Sequence, residues 1–234
     1  MLAVPLLLGV AASRSTAWQL VLAAAAVAGY LATASATHWL RTRRHGGDAV
    51  PLATYGLAFF VLGLVLVATH PSLLATLIVV APAGAVTLRG TRAGRPRGLD
   101  VSLAEVAQAL VLLPAAALLG PPVATTTVLR ATLVAGLYLV GTVLVVRSVI
   151  RERDNAGFAA ATVGYHAAVV LVEAVLLPWP YVVLASALTM RSAALPLLRR
   201  RWAGGPHPLR PVHVGLVEIV ASASLVALAF VAPL

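Results

Sequence analysis

The stretch that decides the fold is TTTVLRATLVAGLYLVGTVLVVRSVIRERDN, residues 125–155. Residues 125–147 form one continuous apolar segment, and a helix of about 20 such residues crosses the ~30 Å hydrocarbon core of a bilayer. The residues that follow, 147–155, contain Arg147, Arg151 and Arg153 and are the densest polar stretch of the chain. This pattern predicts a membrane span that ends in a positively charged loop.

The same pattern repeats along the whole chain, which is 61% hydrophobic and 10% charged, against about 25% charged in soluble domains. Pairs of proline and glycine, such as Gly120-Pro121, separate the apolar runs. The runs show no period-two alternation, which excludes a transmembrane barrel. We therefore predict an all-α membrane bundle, a single integral membrane domain over 1–234, with about nine spans: 1–12, 17–40, 51–69, 72–88, 100–119, 125–147, 157–176, 178–196 and 211–232.

The arginines predict the orientation of these spans. All of them except Arg14 and Arg130 lie in or beside the four gaps 41–50, 89–99, 147–156 and 191–210. Loops rich in arginine stay in the cytoplasm. Nine spans then predict a multi-pass protein of the plasma membrane with a cytoplasmic N-terminus and an extracytoplasmic C-terminus.

Composition also excludes several kinds of chemistry. The chain has no cysteine, and all 17 of its basic residues are arginine. Disulfides, thiolate metal sites, a cysteine nucleophile and a Schiff-base lysine are therefore excluded. The net charge of +10 is divided among short loops and forms no continuous basic face, so nucleic acid is not an expected partner.

The first apolar segment is shorter than a span should be. Twelve helical residues extend over ~18 Å, which is less than the ~30 Å core. The segment also lacks the basic start and cleavage site of a signal peptide. We expect coding sequence upstream of Met1 that completes it.

Ionisable side chains inside spans are costly and mark functional sites by default. Five of them lie at one depth on four predicted helices: Glu105, Arg147, Arg191, His213 and Glu218. We predict a cytoplasm-facing polar cavity formed by Glu105, Arg147, Arg151, His166 and Glu218, with Arg153, Asn155, Glu173 and His213 as secondary candidates. The alternative is that each group caps a helix or pairs with a neighbour.

The loop 147–155 has two interpretations. Its arginines match the geometry of phosphate oxygens and would clamp an anion. Alternatively, the loop sets the topology and rests on anionic headgroups. Metal is not expected, because the carboxylates Asp48, Glu152 and Asp154 do not cluster as Mg²⁺ requires. No cofactor is expected either.

Residues 147–155, followed by Tyr165-His166, resemble the S-x-I-R-E-R/K-x-N … Y/H signature of the YwiC-like membrane proteins. Residues 214–219, VGLVEI, are similar to that family as well. The opening residues 1–9 look like the stretch after its N-terminal His-Gly-Ala-Trp motif, which this chain lacks. The resemblance implies an integral membrane protein without an established activity.

A more distant resemblance is to the UbiA prenyltransferases, which have nine helices and two Asp-rich motifs in cytoplasmic loops. Residues 41–48 and 147–155 occupy the positions of those loops, and residues 89–92 lie where that family has a basic-threonine motif. Arginine replaces the aspartates here. We therefore expect no metal-dependent prenyl transfer, and the chain is not expected to be an enzyme of that kind.

Three functions remain open from the sequence. The first is binding of an amphipathic anion, a phospholipid or a polyprenyl phosphate, through the arginine-rich loops. The second is proton-coupled or small-molecule transport, in which His166, Glu173 and Glu218 relay protons or bind the solute. The third is a scaffold for a membrane complex. Membrane lipids are the expected partners in each case, and the oligomeric state is not predicted.

Overall fold

A computed structural model describes residues 2–41, 49–202 and 210–234. Within these ranges the chain is helical and has no strand. The elements are α1 (Ala3–Ser13), α2 (Ala17–Arg41), α3 (Ala49–Thr69), a 3₁₀ turn (Pro71–Thr76), α4 (Leu77–Arg92), α5 (Leu99–Leu110), α6 (Leu112–Leu118), α7 (Thr125–Ile150), α8 (Ala156–Leu176), α9 (Trp179–Trp202) and α10 (Pro211–Val231).

Eight helices of the described chain are long and apolar enough to cross a bilayer. They are Ala17–Trp39, Ala49–Thr69, Pro71–Arg92, Leu99–Leu118, Thr125–Ile150, Ala156–Leu176, Trp179–Arg199 and Pro211–Val231. Helix α1, with 11 residues, is apolar but shorter. The prediction of an all-α membrane bundle is confirmed, and the chain is a multi-pass integral membrane protein.

Proline explains the two interruptions inside predicted spans. Pro71 begins the 3₁₀ turn that precedes α4. Pro114 has no N–H to donate to the carbonyl of Leu110, and the helix is interrupted at Val111, between α5 and α6. By contrast, α7 and α9 continue past the predicted ends of their spans at 147 and 196, because arginine is a good helix former. Hydropathy marks where the membrane ends, and the helix continues beyond that point.

The chain divides into two compact units, Met1–Val128 and Leu129–Leu234. In the first unit, α1 packs closely on α6, because Gly9 has no side chain. A Cβ on Gly9 would lie 2.6 Å from the carbonyl oxygen of Leu113. The core of this unit is formed by small and apolar residues: Leu22, Ala25, Leu66, Leu73, Ala115, Ala116 and Leu119.

The second unit contains α8–α10 and nearly all of α7. A buried apolar cluster of Val145, Val149, Leu195 and Val214 joins α7, α9 and α10 near the ends that face the arginine-rich loops. Arg199 donates a hydrogen bond to the carbonyl of Val149 beside this cluster. The single-domain assignment for the chain stays a prediction, and the predicted loop residues 42–48 and 203–209 lie outside the described part.

Candidate functional site

A buried ion pair lies between two spans of the second unit. Nη1 of Arg191 on α9 donates to Oε2 of Glu218 on α10 at 2.9 Å. The two side chains are only 8% and 12% exposed. Thr142 on α7 donates to the same Oε2 at 3.1 Å. Three helices therefore meet at one carboxylate oxygen.

This ion pair uses only part of its hydrogen-bonding capacity. Nε and Nη2 of Arg191 and Oε1 of Glu218 are buried and have no hydrogen-bond partner among the residues that the structure describes. The N–H bonds of Nε and Nη2 lie in the guanidinium plane and point to the same edge, which is the edge that binds the two oxygens of a carboxylate or phosphate. Glu218 is bound at Nη1, on the opposite edge. The result is a fixed, desolvated edge with two donors.

His166, on α8, is also buried, with 4% of its surface exposed. Its Nδ1 lies 2.8 Å from the carbonyl oxygen of Thr162. A carbonyl can only accept, so Nδ1 carries the hydrogen and Nε2 is the nitrogen that remains to accept a proton. Nε2 lies against α7 at Gly141, where a Cβ would come within 2.8 Å of it. Arg191 interacts electrostatically with this ring.

A cavity of about 20 Å³ lies between the four helices of the second unit. Its polar lining consists of Tyr138, His166, Glu173 and Tyr181, and the rest is aliphatic. Roughly 10–15 Å³ is enough for one water molecule. The cavity is therefore the size of a single water.

The ion pair lies about one helical turn from residues that line the cavity. Tyr138 is one turn from Thr142 on α7, and Leu188, which lines the cavity, is one turn from Arg191 on α9. On α10, Ser222 is one turn from Glu218, and the hydroxyls of Ser222 and Tyr138 are 2.8 Å apart. Residues three and four apart share a helix face. The second unit thus has a polar column in its interior.

Two of the three loop arginines predicted to clamp an anion, Arg147 and Arg153, are paired with carboxylates of the loop itself. Nη2 of Arg147 lies 3.3 Å from Oε1 of Glu152. Nε of Arg153 lies 3.2 Å from Oδ2 of Asp154. Arg151 is exposed, and its backbone N–H donates to the carbonyl of Arg147. These contacts organise the turn between α7 and α8.

The remaining predicted residues are in three other places. Asn155 caps α8 by accepting from the backbone N–H of Phe158 at 3.0 Å. His213 is exposed at the start of α10, where its Nδ1 accepts from the backbone N–H of Arg210. Glu105 is exposed on α5 and belongs to the first unit. That these residues share one cavity with Arg147 and Glu218 stays a prediction.

The sequence prediction included Glu218 and His166 in the cavity and Glu173 as a secondary candidate, but it did not include Arg191. The signal was present, because Arg191 lies inside the apolar segment 178–196, where a charge needs a partner. Thr142 and Tyr138 gave no such signal, since threonine and tyrosine are ordinary residues in spans. Only the packing of α7 against α10 identifies them.

The first unit has an open cleft at the turn between α4 and α5, lined by Thr91, Gly94, Arg95, Pro96, Arg97 and Gly98. Arg95 and Arg97 are exposed there. Within the described residues, no group of three or more histidine, aspartate or glutamate side chains is arranged to hold a metal ion.

Comparison with known proteins identifies the family. A family model described as YwiC-like protein matches residues 1–117. No curated protein and no solved structure was found to match the chain. Of the stretches that resemble the family, 1–9 lies within the match, whereas 147–166 and 214–219 lie beyond it. The likeness to UbiA enzymes stays a prediction. The half of the chain that matches establishes that this multi-pass membrane protein belongs to the YwiC-like protein family.

Proposed function

We propose that this protein binds an amphipathic anion, with Arg191 as the residue that holds its phosphate or carboxylate group. The observation that supports the proposal is the Nε–Nη2 edge of Arg191, which is buried among spans and has no hydrogen-bond partner among the described residues. Such an edge forms two parallel charge-assisted hydrogen bonds with one anionic group. The proposal keeps the ligand class expected from the sequence and moves its main contact from the loops into the second unit.

The energetics favour a binding role over a purely structural one. Removing two charges from water costs several kcal/mol each, and an ion pair offsets this only when further hydrogen bonds satisfy the remaining donors and acceptors. Here two donors of Arg191 and one acceptor of Glu218 have no partner. A ligand anion at Nε and Nη2 would supply the missing bonds.

The depth of Arg191 argues for a specific ligand. It lies twelve residues after the start of α9, which is about 18 Å along the helix axis. Arg199, eight residues later on the same helix, lies about 12 Å further along the axis. Phosphates of ordinary bilayer lipids lie at the interface, so an anionic group at Arg191 has to enter the second unit.

Native mass spectrometry of the detergent-purified protein tests this proposal. We expect a phosphorylated or carboxylated amphiphile to stay bound to the natural chain and to the Arg153→Gln variant. The double variant Arg191→Gln, Glu218→Gln should lose it, because the guanidinium group is gone. This variant should still fold, since its two amides can pair with each other and no buried charge is left. Equal retention by all three proteins would exclude Arg191 as the site. Loss in Arg95→Gln alone would assign the ligand to the cleft between α4 and α5.

Transport is a second candidate function, favoured by the position of the polar column. A charged pair in the interior of a span, with polar side chains above it, is typical of a solute or proton pathway. Uptake of a radiolabelled form of the retained molecule into proteoliposomes distinguishes the two functions. Binding without uptake supports a receptor or carrier role, whereas uptake abolished in the double variant supports transport.

The proposed orientation follows from the arginine-rich loops. We expect the turns at 93–98 and 151–155 to face the cytoplasm, in the plasma membrane. Because eight long helices cross the membrane, residues 14–16 and the C-terminus are then on the extracytoplasmic side. A cytoplasmic N-terminus follows if α1 also crosses.

A further inference from the structure

Glu173 is a buried carboxyl group with no hydrogen-bond partner among the described residues. It lies on α8, three residues before the end of that helix, and only 6% of it is exposed. Its side chain lines the water-sized cavity. An ionised carboxylate that is buried without a partner is too costly to persist, and such a group takes up a proton instead.

The hydroxyl groups around Glu173 already take part in hydrogen bonds with other groups, and none of these bonds is to its carboxyl group. Each of the neighbouring tyrosines on α7, α8 and α9 is hydrogen-bonded elsewhere: Tyr138 with the hydroxyl of Ser222 at 2.8 Å, Tyr165 to the carbonyl of Leu137 at 3.0 Å, and Tyr181 to the carbonyl of Ala232 at 2.9 Å.

The charged groups that face the column are likewise paired or distant. On α9, Arg191 is bound to Glu218 of α10 and lies ten residues, about 15 Å, beyond Tyr181. On α8, His166 is two turns from Glu173 and on the same face. The facing side of α7 contributes Tyr138 and Thr142, and Arg130, one turn before the lining residue Val134, is exposed. Within the part of the chain that the structure describes, Glu173 forms no ion pair with any of these groups.

The cavity gives the carboxyl group access to water. Its volume of about 20 Å³ is enough for one water molecule, and Glu173 is part of its lining. His166 lines the same cavity but is held elsewhere, since its Nδ1 is bound to the carbonyl of Thr162 and its Nε2 lies against Gly141 of α7. Water in the cavity is therefore the partner with which Glu173 can exchange a proton.

We infer that Glu173 is a proton-binding site that exchanges its proton with water in the cavity that it lines. In this exchange the O–H bond of the Glu173 acid breaks and its proton goes to the water, while the water returns one of its own protons to the carboxylate. Charge is conserved, and the neutral acid is restored.

The ligand is a proton in preference to a metal cation. A metal cation needs several oxygen ligands, and the lining offers one carboxyl group and two tyrosine oxygens that already take part in hydrogen bonds. The remaining lining is aliphatic. The inference does not depend on an anion at Arg191, since the two sites use different residues.

Infrared spectroscopy of the full-length protein tests the inference. A protonated carboxylic acid has a carbonyl stretching band that shifts on exchange into D₂O, and ionised carboxylates lack it. We expect part of this band to disappear in Glu173→Gln and to persist in Glu152→Gln, whose carboxylate is in the loop. Glu173→Asp should keep the band at a shifted frequency. His166→Gln should keep it, because the proton is bound by Glu173.

The variant Arg191→Gln separates this inference from the proposed anion site. We expect it to keep the Glu173 band even when it loses the anion. An unchanged acid band in Glu173→Gln would overturn the inference, as would removal of the natural protein's band by Na⁺ or K⁺ at constant pH. If Glu173→Gln does not fold, an unshifted band in Glu173→Asp would overturn it equally.

Discussion

The two units place polar side chains inside apolar helices in different ways. In the first unit, Gln19 is buried, and both the nitrogen and the oxygen of its amide group are hydrogen-bonded. Its Nε2 donates to the hydroxyl of Ser13 at 3.0 Å and to the carbonyls of Arg14 and Ala116, and its Oε1 accepts from the backbone of Thr16. In the second unit, Arg191 and Glu218 are charged, buried and only partly hydrogen-bonded.

This difference separates structural polar groups from candidate functional ones. A neutral amide with all its bonds made stabilises helix packing in a membrane. A charged pair with unused donors and acceptors costs more than it returns unless something else binds. The state of hydrogen bonding, more than polarity itself, therefore points to the second unit as the site.

The largest effect should come from Arg191→Ala. It leaves Glu218 as an unpaired buried charge, and breaking a buried pair in this way costs about 3–5 kcal/mol. Arg153→Ala is the matched control, because Arg153 is 58% exposed and its pair with Asp154 should contribute at most about 1 kcal/mol. Thermal unfolding in detergent measures both.

Equal loss of stability in these two variants would contradict the burial of the Arg191–Glu218 pair. The double variant Arg191→Leu, Glu218→Leu sharpens the test. Since paired apolar replacements of buried ions are often neutral or stabilising, it should be more stable than Arg191→Ala.

A smaller effect is expected from Gln19→Leu in the first unit. The substitution removes the bonds to Ser13 and Ala116 and leaves buried acceptors without a donor, at a cost of about 1–3 kcal/mol. Because Gln19 is structural, the amphiphile retained by the second unit should stay bound. Loss of that ligand from a folded Gln19→Leu protein would remove the distinction between the units.

Gly141→Ala should cost about 1 kcal/mol, because the added methyl group would lie 2.8 Å from Nε2 of His166 and force the ring to move. Gly164→Ala on α8 is the control, since nothing lies within 4 Å of its added Cβ. There the better helix propensity of alanine should raise stability by about 0.5–1 kcal/mol. Unfolding measurements that give the same sign for both would contradict the packing of His166 on α7.

Orientation can be tested without loss of stability, because the natural chain has no cysteine. Single cysteines at exposed positions 93 and 154 should react only with reagents that reach the cytoplasm. A cysteine at 122, between α6 and α7, should react from outside. Labelling of position 154 from outside intact cells would reverse the proposed topology.

The helices were largely predictable from hydropathy, since a run of about 20 apolar residues has few alternatives to a span. The interruption at Val111 was not, because Pro114 acts on the carbonyl four residues earlier inside an unbroken apolar run. The ends of α7 and α9 were placed too early for a related reason. Arginine ends the membrane segment but not the helix.

The site was predictable only in part. Depth along a span identified His166, Glu173 and Glu218 as unusual, and the same criterion applied to Arg191. Pairing depends on how helices rotate against one another, which one sequence does not show. Arg147 was predicted to share a cavity with Glu218. Its guanidinium forms an ion pair with Glu152 in the following turn, and Arg191 is the residue that reaches Glu218.

The most direct test of an anion site at Arg191 is a density map of the natural protein purified in mild detergent, at a resolution that shows ordered waters. The predicted result is density for one phosphate or carboxylate group with two oxygens about 2.7–2.9 Å from Nε and Nη2 of Arg191. The contradictory result is an Nε–Nη2 edge that donates to protein carbonyls or to water alone.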